Sequence, residues 1–188
     1  MSAEVPVPAI VPLPLGDLPD PLRREIDGRL AAGTLSTSLP VQIWGRRPEA
    51  ATAWVQLLGA LQEQQALLEP RLRELVRLRI ASFTQCRTCQ AARKSDAVTE
   101  EDIACLAPDD DRFSAREQAA LAYADDFVND WFAIDDDTYA ALGRHFTTDE
   151  VVELQMFCAM MLAGGRLALV QRAWAEDSDP AGERVSRE

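Results

Sequence analysis

Apolar side chains recur along most of this chain at helical spacing, with polar breaks that mark helix ends. Trp54, Leu57, Leu58 and Leu61 share one face of a helix that opens at Pro48 and runs to about Leu68. Proline suits that first position, where its missing N–H has no intrahelical partner to lose. A second helix begins near Pro70. Its Leu72, Leu75, Val76, Ile80 and Phe83 fall on one side at ~100° per residue, with Glu74 and Arg77 opposite. A break near Thr84 and Gln85 follows, and a further helix opens at Cys86 and reaches about Asp96. Thr99 caps a short helix through Leu106, and the acids at 100 to 102 favour its N-terminus. Ser114 with Glu117 forms a capping box for a helix to about Trp131, with Leu121, Phe127 and Val128 inward. Residues 135–145 form a short helix.

Thr147 with Glu150 is a second capping box, opening a long helix to about Trp174. That helix is apolar nearly all round (Val151, Leu154, Met156, Phe157, Met160, Met161, Leu162), so it is buried on most sides. In a chain this small, such burial points to a subunit interface. Gly164 and Gly165 permit a kink or a close helix approach. No run of alternating β-branched residues lies between turn signals, so the expected fold is all-α, with about seven helices.

The ends read differently. Prolines at 6, 8, 12, 14, 19 and 21 among Val, Ile and Leu exclude helix and favour an extended arm lying on the body or on a neighbouring subunit. Leu22 to Ala32 form a short helix closed by Gly33, and residues 34–47 a connection. The organisation expected is a Pro-rich arm with its short helix over 1–38, a helical domain over 39–175 and a polar tail over 176–188.

Composition narrows the function. A chain of 188 residues suits one domain in which ~70% of the unfolded surface is buried. A net charge of −12 opposes nucleic acid and anionic membranes. No apolar run approaches the ~20 residues that span a bilayer, and no secretory signal opens the chain. The expectation is a cytoplasmic protein whose four cysteines stay reduced unless they react. Cys105 and Cys158 are isolated and read as small buried residues.

Cys86 and Cys89 are a C-x-x-C pair at the start of a central helix. Cysteines at i and i+3 lie on one helix face, within reach of a disulfide. Unpaired N–H groups of a first turn favour a thiolate. Arg93, one helical turn after Cys89, is expected to sit over that sulfur and lower its pKa, although arginine cannot serve as a base. If the helices on either side of residue 85 fold back as a hairpin, Glu74 falls opposite 93 to 96. It then pairs with Arg93 or Lys94, or takes a proton from a thiol; the alternative is a local ion pair with Arg77 or Arg71. A structural zinc site needs four ligands, and the remaining candidates Cys105, Cys158 and His145 are unpaired, so no metal or other cofactor is expected.

The stretch from Pro70 to Ala81, followed by Cys86 and Cys89, resembles the carboxymuconolactone decarboxylase superfamily and its AhpD-like alkylhydroperoxidase branch. That branch carries a glutamate, eleven residues, C-x-x-C, three residues and a histidine; Glu74, Cys86 and Cys89 match. The likeness continues through Phe113 to Leu121 and His145 to Leu154, covering about residues 40 to 173. The resemblance implies a helical fold in trimers or hexamers and reduction of small-molecule hydroperoxides. It assigns Cys89 the attack on peroxide, Cys86 the resolution as a disulfide, and Glu74 a place in a proton relay. It also implies a dithiol reductant, in some members lipoyl-bearing. The relay histidine position holds Arg93 here, and a second histidine found in some members corresponds to Thr88. The expected function is a thiol peroxidase or disulfide oxidoreductase weakened by that loss. A redox-sensing or binding protein of the same fold is the alternative, and a lactone decarboxylase a third reading with little support. His145 is expected to cap or pack.

Overall fold

A computed structural model describes residues 8–63 and 65–174. Its nine α-helices among these residues are α1 (Asp20–Ala31), α2 (Leu39–Trp44), α3 (Pro48–Gln62), α4 (Pro70–Thr84), α5 (Arg87–Ala91), α6 (Glu100–Ala104), α7 (Ala115–Asn129), α8 (Asp136–Leu142) and α9 (Thr148–Gln171). No strand occurs among the described residues, in keeping with the expected all-α fold.

Helix α4 is the axis of the bundle and packs against both α7 and α9. Leu72, Val76 and Ile80 of α4 join Leu154, Phe157 and Cys158 of α9 and Ala120 and Ala124 of α7 in the main core. A second cluster joins Leu22 and Ile26 of α1, Val41 of α2, and Ala51 and Val55 of α3. The four capping boxes at Thr99, Ser114, Asp135 and Thr147 are formed in full, each with its third helical residue reaching back to the cap N–H. Arginines then use the same acids to join helices. Arg71 bonds Asp102 at 2.9 Å and Glu117 at 2.8 Å, and Arg116 bonds Glu150 at 2.6 Å. The Arg71 guanidinium holds the Asp102 carboxyl down at about 2.

Several expectations change, each for a tertiary reason. The connection 34–47 contains α2, whose Val41 and Ile43 are buried; six residues are too few to show a helical period. Helix α3 stops at Gln62 rather than near Leu68. The Gln62 carbonyl accepts from Arg73, and Glu153 accepts from the N–H groups of Leu67 and Leu68, so polar side chains of α4 and α9 hold the exit. Leu57, expected inside, is exposed. Helix α7 ends at Asn129 and gives way to a 3-10 turn at Trp131–Ala133. Helix α4 buries Glu74 and Arg77 as well as its apolar face.

The first seven residues and the polar tail lie outside the described residues. From Pro8 the arm lies along the body, bending at residues 9–10 and making a 3-10 turn at Leu15–Asp17 before α1. Ala9 donates to the carbonyl of Gln171 at 2.9 Å, Leu13 donates to the carbonyl of Gln42 at 3.2 Å, and Leu18 is fully buried. Proline does not exclude helix throughout this stretch: Pro21 sits in the first turn of α1, where its missing N–H is harmless.

Helix α9 has the length and apolarity to cross a membrane by composition alone, unlike the sequence expectation. Here Leu154, Phe157 and Cys158 are buried in the bundle, while Val152, Met156 and Val170 are exposed. Gly165 accommodates the end of α4: a Cβ there would meet Thr84 Oγ1 at 2.5 Å and Thr84 Cβ at 2.8 Å. Forced overlap with a neighbour that cannot retreat costs about 1–3 kcal/mol. Gly165→Ala is therefore expected to lower unfolding stability by that order in denaturant titration. Gly164→Ala, where the nearest atom is a Trp54 ring carbon at 3.9 Å, stays near wild type.

Candidate functional site

Gln85 makes the turn that brings the cysteines back over α4. Its left-handed backbone (φ 55°) ends α4 and reverses the chain. Cys86 caps α5, its sulfur accepting the Cys89 N–H at 3.3 Å. The two sulfurs are joined as a disulfide with Cα atoms 5.2 Å apart, inside the usual range for such a bridge. Cys86 is buried, whereas Cys89 is partly exposed. The Gln90 side chain donates to the Ala81 carbonyl at 3.0 Å and ties α5 to α4.

Beneath the pair, Glu74 and Arg77 form a buried, two-pronged ion pair at 2.7 and 2.8 Å. Arg77 also donates to the carbonyls of Cys89 (2.5 Å) and Ala92 (2.7 Å). Glu74 Oε1 accepts the Lys94 backbone N–H at 2.9 Å. The hairpin expected from the sequence thus places Glu74 opposite Lys94, through the Lys94 backbone. Its carboxylate is taken up by Arg77 and that N–H, so its role here is to anchor the segment that follows the cysteines.

Arg93 is not where the sequence put it. Helix α5 ends at Ala91, not Asp96, because Arg77 draws the Cys89 and Ala92 carbonyls toward α4 and Ala92 is extended. The one-turn relation between Cys89 and Arg93 is lost. Arg93 is exposed, bonded to Glu100 at 2.8 Å and to the carbonyls of Gln90, Ala91 and Ala92. Lys94 turns inward instead, donating through Nζ to the Gly33 carbonyl at 2.6 Å. Burial, then the neighbouring Arg77, lower its pKa to about 8 against the opposing pull of Glu74. The sequence offered no signal for this exchange, because which of two adjacent basic residues faces inward depends on where α5 ends. His145 stays at the start of α9, where its carbonyl accepts from Arg116. Cys158 is fully buried and its thiol is pushed up by burial; Cys105 is partly exposed at the end of α6.

Cys86, Thr88 and Cys89 line a cavity of about 130 Å³ with mainly apolar walls, among them Trp44, Trp54 and Met160. Trp44 and Trp54 meet edge to face at 5.6 Å, and the Trp44 indole N–H donates to Gln171 Oε1 at 3.0 Å. The Thr88 hydroxyl is buried without a hydrogen-bond partner.

Two outcomes follow from this geometry. Removing one member of a buried ion pair strands the other and costs about 3–5 kcal/mol. Glu74→Gln is expected to lose stability of that order in urea unfolding, and Arg93→Ala less than ~0.5 kcal/mol. In the reduced protein, the pH dependence of iodoacetamide alkylation at Cys89 is expected to be the same in wild type and Arg93→Ala. A raised apparent thiol pKa in that variant would return Arg93 to the sulfur.

Residues 48–126, from α3 through most of α7, match the carboxymuconolactone decarboxylase family model. No curated protein sequence matches the chain. Among solved structures, the fold is similar to an alkylhydroperoxidase AhpD core from Ralstonia eutropha JMP134, an uncharacterized peroxidase-related protein. The TM-score is 0.70 at 18% identity over 93% of this chain and 95% of that one. It is also similar to a putative antioxidant defence protein AhpD from Agrobacterium tumefaciens, with TM-score 0.59 at 24% identity over 68% and 90% of the two chains. The debrominase Bmp8 gives TM-score 0.69 at 18% identity, covering 90% of this chain and 93% of its own. The carboxymuconolactone decarboxylase family model thus matches the site-bearing helices, and the fold as a whole is similar to that of AhpD-like proteins.

Proposed function

We propose that the protein is a thiol-dependent oxidoreductase that reduces organic hydroperoxides by cycling Cys86 and Cys89 between dithiol and disulfide. The observation that carries this reading is the Cys86–Cys89 disulfide on the wall of an apolar cavity. The more exposed sulfur, Cys89, attacks the terminal peroxide oxygen as a thiolate. The O–O bond breaks, sulfenic acid forms on Cys89, and the departing alkoxide takes a proton and leaves as alcohol. The buried Cys86 thiol then displaces water from that sulfenic acid and gives the disulfide seen here. An external dithiol, for which a lipoyl group is one candidate, returns both sulfurs to thiols by exchange. The unpaired Thr88 hydroxyl faces the same cavity and can hydrogen-bond an oxygen of the substrate.

No histidine stands where the AhpD-like pattern has its relay, and Glu74 is engaged by Arg77. Lack of a positioned proton donor costs ~10² to 10⁴ in rate. That favours a second reading, in which the pair acts as a redox switch with negligible turnover. The debrominase of similar fold shows that related architecture serves other chemistry. Assembly as a homo-oligomer in the cytoplasm completes the proposal, with the exposed outer face of α9 (Val152, Met156, Val170) as the candidate contact.

One assay separates the two readings. With cumene hydroperoxide and dithiothreitol, wild type is expected to consume peroxide continuously, and Cys89→Ser only at the uncatalysed rate. Equal rates in the two proteins exclude a peroxidase and leave the switch.

A further inference from the structure

The cavity beside the cysteines does not end at its apolar walls. Past Arg77 and Lys94 lies a second, smaller cavity of about 80 Å³, and the two share Thr34, Gln62, Arg77 and Lys94 as lining. The larger is apolar. The smaller is lined by three cations, Arg73, Arg77 and Lys94, and one carboxylate, Glu74.

The hydrogen bonds of these cations leave a charge imbalance. Glu74 is matched by Arg77. Arg73 bonds the carbonyls of Leu68 and Gln62, with Glu69 and Glu153 close enough to act on it through space. Lys94 Nζ bonds the Gly33 carbonyl. Of the groups facing Lys94, α4 offers Arg77 and Glu74, while the loop after α1 and helix α3 offer Gly33, Thr34 and Gln62, none of them ionisable. A partly desolvated cation held by a neutral carbonyl is costly to keep, and an anion beside it recovers part of that cost. This excess of positive charge sits inside a chain whose net charge is −12.

Building on the peroxidase reading, we infer that the site takes an amphipathic carboxylate: its apolar body lies between Trp44, Trp54 and Met160, and its carboxylate is held by Lys94 at the mouth of the smaller cavity. The substrate class that follows is a hydroperoxide bearing a carboxylate at one end, such as an oxidised fatty acid. Its peroxide lies on the Cys89 and Thr88 side, and its charge on the Lys94 side. The placement also gives a pH response. Lys94 titrates near 8 in the free site, so its attraction for a carboxylate is present at pH 7 and fades as the pH rises through that value.

The test uses the oxidised full-length protein, which cannot reduce peroxide, so the outcome is separate from turnover. Calorimetric titration with octanoate at pH 7 is expected to give tighter binding than octan-1-ol by about tenfold, the ratio expected of one charge-assisted contact. Lys94→Met is expected to remove that preference, leaving octanol binding unchanged. In wild type the preference is expected to shrink between pH 7 and pH 9, while octanol binding stays level. Equal affinity of wild type for octanoate and octanol at pH 7 would overturn the inference without any variant. So would an undiminished octanoate preference in Lys94→Met. A protein that binds octanoate through Lys94 yet consumes no peroxide keeps the ligand class and loses the peroxidase reading.

Discussion

A carboxylate and a guanidinium taken out of water together lose hydration worth several kcal/mol each, and persist only when their remaining hydrogen-bonding positions are filled. Glu74 and Arg77 meet that condition in α4. The carboxylate takes two bonds from the guanidinium and one from the Lys94 N–H, and the guanidinium gives two of its three other donors to the Cys89 and Ala92 carbonyls. These contacts reach across the turn at Gln85 and fix both ends of the segment that carries the cysteines. They also end α5 after a single turn. That one consequence decides which residue faces the cavity, since a helix continuing to Asp96 would have carried Arg93 over Cys89. The pair is thus structural in its contacts and functional in its effect.

The surroundings of the dithiol follow from the same frame. Helix α4 brings the buried pair up from below, and α9 closes over it because Gly165 lets Thr84 approach. Helices α2 and α3 supply the two tryptophans. The resulting space is apolar where it meets the sulfurs and charged where it meets α4. Such a division suits a substrate with two unlike ends. The apolar lining also lowers the local dielectric, which strengthens any charge interaction beside it.

Much of this is legible in the sequence. The capping boxes at Ser114 and Thr147 marked true helix starts, because a cap is a local interaction between residues three apart. The C-x-x-C pair and its spacing from Glu74 pointed to the family whose model matches residues 48–126, and to the hairpin. What could not be read was set by residues far apart in sequence. The end of α3 depends on Arg73 and Glu153, and the end of α5 on Arg77. Helix α2 is too short for periodicity, and it owes its existence to packing on α3. Glu74 read as polar and outward because amphipathic patterning assigns charges to solvent, whereas this charge is buried with its partner. The exchange of Arg93 for Lys94 at the site follows from that same misplacement of one helix end.

The most direct test of the account is a single-turnover oxidation of the reduced protein. Reduced chain, freed of reductant, is mixed with a stoichiometric amount of cumene hydroperoxide and mapped by peptide mass spectrometry. The account predicts loss of two hydrogens in the peptide spanning Cys86 and Cys89, with Cys105 and Cys158 unchanged and alcohol formed in equal amount. Unreacted thiols at Cys86 and Cys89, or oxidation confined to Cys105, would contradict it.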